Sequence, residues 1–282
     1  MRFLKFKQVD VFTRVPFRGN PVAVVLEGNG LSGEEMQHIA KWTNLSETTF
    51  VLPPSSGDAD YKLRIFSPRM ELPFAGHPTI GSAHAVLESG FAKATGGRLR
   101  QECGAGILNL QADGETLWLD SPPAIEKSFQ ETGVLETILG ARIQGIPAIF
   151  DVGPRWVVAE LADAAAVAAL NPDLQAMAGL SDRLAITGVT VYGAASGGRA
   201  AIEVRSFAPA HGIPEDPVCG SGNISVATYL RKAGRLAGGY MAKQGMQLGR
   251  DGEVSIRFEG GRIFLGGSAV TCVDGTLRVP PG

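Results

Sequence analysis

The sequence predicts an α+β protein built from two similar halves. Three observations carry this expectation. The chain repeats part of itself at about half its length. Its 37 glycines and 17 prolines punctuate short segments of alternating polarity. Its 282 residues suit two cores of roughly 140 residues each. The repeat is the most informative of the three. The first copy runs Lys62-Leu-Arg64-Ile-Phe66-Ser-Pro68, then Glu71 to Phe74, then Ala75-Gly76-His77-Pro78-Thr79-Ile80. The second runs Glu203-Val-Arg205-Ser-Phe207-Ala-Pro209, then Gly212 to Val218, then Cys219-Gly220-Ser221-Gly222-Asn223-Ile224. Arg64, Phe66 and Pro68 match Arg205, Phe207 and Pro209 at an offset of 141, and Gly76 and Ile80 match Gly220 and Ile224 at 144. Each copy is a strand ending at a proline turn, then a glycine turn, then a helix of small residues. A single duplication differs from a solenoid, which needs shorter and more numerous units. Two equivalent domains with a cleft between them are the simplest geometry.

The elements follow in order. Phe3 to Val11 alternates and reads as a strand, as does Pro21 to Leu26. Ser32 and Glu35 form a capping-box pattern ahead of a helix reaching about Trp42. Phe50 to Pro53 and Tyr61 to Phe66 read as strands. Pro78 suits the first turn of a helix, because its missing N–H costs nothing there. That helix runs to about Leu87 and stops near Gly90. Ile107 to Gln111 and Thr116 to Asp120 are further strands, and Pro122-Pro123 is a linker candidate. In the second half, strands are expected at Ala148 to Val152, Trp156 to Glu160, Val189 to Tyr192, Ile256 to Phe258 and Ile263 to Leu265. Asp163 to Leu170 reads as an Ala-rich helix stopped by Asn171-Pro172, and a second helix is expected from about Gly222 to Ala233. Small residues on the two repeated helices (Gly81, Ala83, Ala85; Ser225, Ala227) permit close burial against surrounding sheet. The tail from Ser268 to Val279 is expected to pair back onto the first half. The halves are thus expected at 1–118 plus 268–282 and at 119–267.

Composition excludes several function classes. Lys plus Arg total 26 and Asp plus Glu total 28. A formal charge of −2 with no basic run leaves no electrostatic footprint for nucleic acid. The longest apolar stretches, Val22 to Leu26 and Ala164 to Leu170, are far too short to span a bilayer. The alternating N-terminus lacks a signal-peptide core, so a cytoplasmic location is expected. Cys103, Cys219 and Cys272 form neither a disulfide framework nor a paired zinc motif. Four histidines and no HExxH give a metal site little support.

Two helix N-termini facing one cleft would present clustered N–H groups and two positive dipole ends, a site for a substrate carboxylate. Gly76-His77-Pro78-Thr79 and Gly220-Ser221-Gly222-Asn223 would supply it, with the glycines letting a ligand approach the backbone. Neither turn is a nucleotide fingerprint: Ser225 stands where GxGxxG needs its third glycine.

The sequence also resembles the PhzF-type, phenazine-biosynthesis-like isomerases with a diaminopimelate-epimerase-like fold. The resemblance rests on Asp10-Val-Phe12 through Pro16-Phe17, Gly19-Asn20-Pro21, Asn44-Leu-Ser46-Glu47-Thr48-Thr49-Phe50, Gly76-His77-Pro78-Thr79, and Phe207-Ala-Pro209 through Pro214-Glu215-Asp216-Pro217-Val-Cys219-Gly220-Ser221-Gly222. It implies two alike domains, each a mostly antiparallel sheet or barrel wrapped around a central helix. It implies that Glu47 is the proton-transferring carboxylate, with His77 and Asp216 as helpers and Gly76, Gly220, Ser221 and Gly222 around the bound acid. It implies an isomerase that needs no cofactor, acts on a small carboxylate-bearing metabolite and forms a homodimer. A carboxyl held in a closed site has its charged form disfavoured, so its pKa rises towards working pH. Pro78, Thr79 and Cys219 complete the expected binding positions.

Cys219 opens an alternative. Related racemases and epimerases use two thiols, one from each half, and the equivalent positions here are Ala75 and Cys219. Ala75 cannot carry a proton, but a thiol at a helix N-terminus can have a lowered pKa, which keeps a Glu47/Cys219 pair in play. A non-catalytic metabolite-binding protein is the third reading.

Overall fold

The computed structural model describes residues 1–236 and 238–280. The chain divides into two compact units, one of Met1–Asp120 together with the segment from Gly266 onward, the other Ser121–Leu265.

The first unit contains β1 (Arg2–Val11), β2 (Asn20–Val25), α1 (Gly33–Thr43), β3 (Thr48–Leu52), β4 (Tyr61–Phe66), β5 (Glu71–Leu72), α2 (Gly76–Ser89), β6 (Arg98–Cys103), β7 (Gly106–Asp113) and β8 (Thr116–Asp120). The second contains β9 (Ile125–Ser128), α3 (Thr132–Leu139), β10 (Gln144–Asp151), β11 (Arg155–Glu160), α4 (Ala164–Ala168), α5 (Leu174–Leu184), β12 (Gly188–Ala194), β13 (Ile202–Ala208), β14 (Ile213–Asp216), α6 (Gly220–Lys232), β15 (Tyr240–Gln244) and β16 (Gly252–Glu259). β17 (Arg262–Gly267) leads back to β18 (Ala269–Val279), which pairs antiparallel along β1, as the alternating tail implied.

Within the first unit β1 pairs β2 antiparallel, β2 pairs β3 parallel, β3 pairs β4 antiparallel, β4 pairs β6 parallel, and β6, β7 and β8 follow antiparallel. α2 packs against β1, β2, β3, β4, β8 and β18, so the sheet curls round this one helix. Ten of its residues, from Gly76 to Val86, are buried, which explains why it is nearly free of charge. Gly81 makes the fit possible: a Cβ there would sit 2.5 Å from Val22 Cγ1 and 2.7 Å from Val11 Cγ2.

The second unit repeats the plan. β11 pairs β12 parallel, β12 pairs β13 antiparallel, β13 pairs β15 parallel and β15 pairs β16 antiparallel. α6 packs on β10, β11, β12 and β16. The repeated residues do the same work in each copy. Arg64 forks onto Glu71 and lies over the Phe66 ring. Arg205 forks onto Glu215 and lies over the Phe207 ring.

Several local expectations need correction. α4 ends at Ala168 rather than Leu170, where the buried Arg205 guanidinium takes the carbonyls of Val167 and Leu170 as acceptors. α6 starts at Gly220 rather than Gly222, because Cys219 serves as its N-cap. α3, α5, β6, β9 and β15 had no counterpart in the sequence reading. No described helix is long and apolar enough to cross a membrane. Among the described residues no group of three or more His, Cys, Asp or Glu is placed to hold a metal ion.

The twin ion pairs differ in burial, with side-chain exposures of 6% and 10% for Arg205 and Glu215 but 27% and 44% for Arg64 and Glu71. Arg205→Met strands Glu215 and two carbonyls, and is expected to cost about 3–5 kcal/mol. Arg64→Met is expected to cost less than about 1 kcal/mol. Urea unfolding of the two variants checks this; equal losses would show that burial does not separate the pairs.

Candidate functional site

Glu47 lies in the short link between α1 and β3, and five contacts fix that link. α1 closes with Asn44 in the left-handed region (φ 55), its N–H donating to Ala40 O. The Thr43 and Thr48 hydroxyls meet at 2.6 Å. Ala23 N on β2 donates to the Glu47 carbonyl at 3.4 Å. Thr49 Oγ1 then reaches Ala23 O and, at 2.8 Å, Ser82 Oγ on α2. The Glu47 backbone is thereby tied to β2 on one side and, through Thr49, to the central helix on the other.

The Glu47 carboxyl is largely buried, its side chain 14% exposed. Burial pushes its pKa up to about 7, against a smaller opposing pull from a hydrogen bond with Ser46. Its Oε2 lies 3.3 Å from His77 Nε2. His77 is the second residue of α2, itself almost fully buried, and its other ring nitrogen, Nδ1, lies 3.5 Å from Asn20 Nδ2. Asn20 opens β2 directly after Gly19, where a Cβ would stand 2.4 Å from Val11 O. The α2 N-cap is Ala75, which offers the first turn no side-chain acceptor, and Pro78 has no N–H to satisfy. The first turn therefore keeps its positive dipole end beside Glu47 and His77.

Thr79 does not join this group. It is fully buried, and its Oγ1 accepts from Gln101 Nε2 at 3.2 Å, while Gln101 Oε1 accepts from Tyr61. Its hydroxyl is held by the fold.

In the second unit the matching turn is built differently. Cys219 Sγ accepts from Gly222 N at 3.2 Å and lies 3.6 Å from Ser221 Oγ. Ser221 Oγ in turn accepts from Trp156 Nε1 at 2.9 Å. Gly222 fits closely: a Cβ there would fall 2.6 Å from Ser206 Oγ and 2.7 Å from Thr190 Oγ1. Buried Gln244 pins the turn, accepting from Cys219 N and Asn223 Nδ2 and donating to Asp216 O. Asp216 Oδ1 accepts from Val218 N, the local turn expected of an Asp-Pro pair. Burial pushes the Cys219 thiol well above its ordinary value, with the Asp216 charge adding to the effect. The lowered thiol pKa expected at this helix end is therefore corrected, because desolvation outweighs the donors from Gly222 and Ser221.

Within the first unit, then, Glu47 and His77 come together at the α2 end that Gly76 and Pro78 form. Within the second, Asp216, Cys219, Gly220, Ser221 and Gly222 share the α6 turn. Asn20, Trp156 and Gln244 had no place among the expected site residues. Asn20 belongs to the Gly19-Asn20-Pro21 block of the family resemblance, which assigns it no role. Trp156 reads as part of a strand, Gln244 carries no strand signal, and nothing local marks either as a partner of a helix end.

Residues 9–275 match the model of the family described as phenazine biosynthesis-like protein, PhzC-PhzF. The chain is 42% identical to Antisense-enhancing sequence 1 of Schizosaccharomyces pombe, covering 96% of this chain and 97% of that protein. It is 35% identical to trans-2,3-dihydro-3-hydroxyanthranilate isomerase of Pseudomonas aeruginosa, covering 91% of each. The crystal structure of a PhzF-family protein from Bacillus anthracis matches 99% of this chain and 100% of its own, with a TM-score of 0.87 at 24% identity, and shares the fold. The chain belongs to the phenazine biosynthesis-like PhzC-PhzF family and is an enzyme of the isomerase class.

Proposed function

We propose that the protein isomerises a small carboxylate-bearing metabolite by proton transfer, without a cofactor, and that Glu47 is the group that moves the proton. The observation that carries this reading is a buried carboxyl with a pKa near 7, 3.3 Å from a buried imidazole, at a helix end with no side-chain cap. An acid–base group works best when its pKa lies near the operating pH. At its ordinary value Glu47 would be too weak a base, and fully protonated it would be none.

In this reading the Glu47 carboxylate takes a proton from a carbon beside an activating group. The C–H electron pair delocalises into the adjoining unsaturated system. The protonated Glu47 then returns the proton to a different carbon, leaving an isomer and the original carboxylate. No electron leaves the substrate and no co-reactant enters. The positive end of α2, with Gly76 giving close access to the backbone, offsets the negative charge of the intermediate and of the substrate carboxylate. His77 orients Glu47 and shares its proton. Asp216 is a further proton-handling candidate, and Gly220, Ser221 and Gly222 are proposed to hold the acid.

Glu47→Gln is expected to abolish deuterium incorporation from heavy water, followed by NMR over a panel of carboxylate metabolites beginning with trans-2,3-dihydro-3-hydroxyanthranilate. Full exchange by that variant removes Glu47 from the reaction. Tight binding with no exchange in any compound would favour a binding protein instead.

The same substitution has a stability signature. Because folding raises the Glu47 pKa from 4.5 to about 7, the native state is progressively destabilised as pH climbs through that window and carries the full penalty above it. The penalty is of the order of 3 kcal/mol. Glu47→Gln should therefore gain stability over the parent at about pH 8 and not at about pH 4, in urea titrations at both. A constant difference would mean that Glu47 is not desolvated.

A buried, protonated Cys219 is a poor second base at neutral pH. Cys219→Ser is expected to retain most of the exchange rate. A loss as deep as that of Glu47→Gln would revive the racemase-type reading.

A further inference from the structure

We propose that Trp156 is a positioning residue: its indole N–H, donating to Ser221 Oγ, fixes the Ser221 hydroxyl as a hydrogen-bond donor to the acid group of the substrate. This rests on the reading in which the α6 turn holds that acid.

Chemistry alone sets the direction of this bond. An indole Nε1–H donates and never accepts. Across the 2.9 Å between Trp156 Nε1 and Ser221 Oγ, the serine is therefore the acceptor. A hydroxyl has one proton and two lone pairs. With one lone pair held by Trp156, the position of Oγ is set and the O–H remains to be given. Cys219 Sγ lies 3.6 Å from Oγ, but a thiol sulfur is a weak acceptor. An arriving carboxylate is a far stronger one, so the O–H passes to it. Donation from Trp156 also strengthens that O–H as a donor, because hydrogen bonds in a chain polarise one another.

The surroundings hold both partners. Trp156 is almost fully buried on β11, paired with Phe150 on β10 and with Gly188 on β12. Gly188 presses on β13: a Cβ there would stand 1.9 Å from Phe207 O. α6 packs on β11, and Ser221, its second residue, is half-buried. Other groups of the turn are already engaged. Gln244 Oε1 takes Cys219 N, Cys219 Sγ takes Gly222 N, and Cys219 O takes Asn223 N. The N–H groups of Gly220 and Ser221 have no acceptor inside the helix. With the Ser221 hydroxyl they are the donors this turn can offer an acid, and Trp156 supports the one side chain among them.

The test reads the indole proton. In the full-length protein labelled with ¹⁵N-tryptophan, three indole N–H resonances are expected, from Trp42, Trp118 and Trp156, and Trp156→Phe assigns the third. Ser221→Ala should move the Trp156 resonance upfield. Adding trans-2,3-dihydro-3-hydroxyanthranilate to the parent should move it further downfield, as the hydroxyl donates and accepts at once. Trp156→Phe keeps a ring and loses the donor. In deuterium exchange its KM for that compound should rise about tenfold, the worth of one hydrogen bond, with kcat little changed. In a Ser221→Ala background the same change should do nothing further. Where the parent exchanges no deuterium, the dissociation constant from calorimetry replaces KM, and no binding at all overturns the proposal. So does an indole resonance indifferent to Ser221→Ala, a Trp156→Phe protein that loses thermal stability alone, or an equal Trp156→Phe effect with and without the Ser221 hydroxyl. If Trp156→Phe does not fold, Trp42→Phe and Trp118→Phe assign the resonance by elimination, and its response to Ser221→Ala and to the compound decides. A raised KM in Ser221→Ala beside an unaltered Trp156→Phe sinks this inference alone, whereas an unaltered KM in Ser221→Ala sinks the reading beneath it.

Discussion

The candidate site depends on keeping one carboxyl out of water. Glu47 has a pKa near neutrality because of burial, and burial holds only while the parallel β2–β3 pair and the α2 helix stay locked together. Thr49 makes that lock by bonding to both at once, to Ala23 O and to Ser82 Oγ. The depth of α2 in its sheet is set in turn by Gly81, whose missing side chain lets the helix settle on Val11 and Val22. That depth brings His77 to Glu47. Were the helix to ride higher by the width of a methyl group, water would enter and the carboxyl would return towards its ordinary pKa.

The two copies of the repeat show what duplication preserves and what it releases. The Arg–Glu fork over a phenylalanine ring occurs in both, as do the parallel pairing around the central helix and a buried glutamine beneath that helix. These residues serve folding, so both copies need them. The helix ends have parted. Ala75 leaves the α2 turn without a side-chain cap, whereas Cys219 fills the α6 turn with a thiol that caps Gly222. A buried thiol of raised pKa stays protonated at neutral pH. Burial thus brings the Glu47 carboxyl to about 7 and pushes the Cys219 thiol away from neutrality, and Cys219 acts as a helix cap.

Much of this was legible in the chain. The strand–turn–helix repeat was readable because identical residue types recur through a strand, a turn and a helix. The capping box at Ser32 and Glu35 forms as its spacing implies. Glu47 and His77 could be named through the family resemblance, but their pairing could not, since 30 positions of chain separate them. What escaped has physical causes. The N-cap of α3, Glu131, makes no side-chain cap bond, so no start signal marks the helix. α5 carries Gly179 in its interior, which weakens its pattern. β6 and β15 turn Gln101 and Gln244 inward, and a buried glutamine breaks the alternation that identifies a strand.

Those inward glutamines explain why the helix ends rest on polar groups rather than on apolar packing. Hydrophobic contact is non-directional and tolerates sliding, whereas a functional constellation needs its members held to within about 0.5 Å. Gln101 joins Tyr61 to Thr79, and Gln244 joins Asp216, Cys219 and Asn223. Each glutamine donates and accepts, so its burial is compensated at both ends of the amide. An apolar side chain of the same volume would fill the space but would leave the first turn of each helix free to rotate about its axis. By that reasoning the bond from Gln101 to Thr79 fixes the rotation of α2 and with it the direction of the His77 ring.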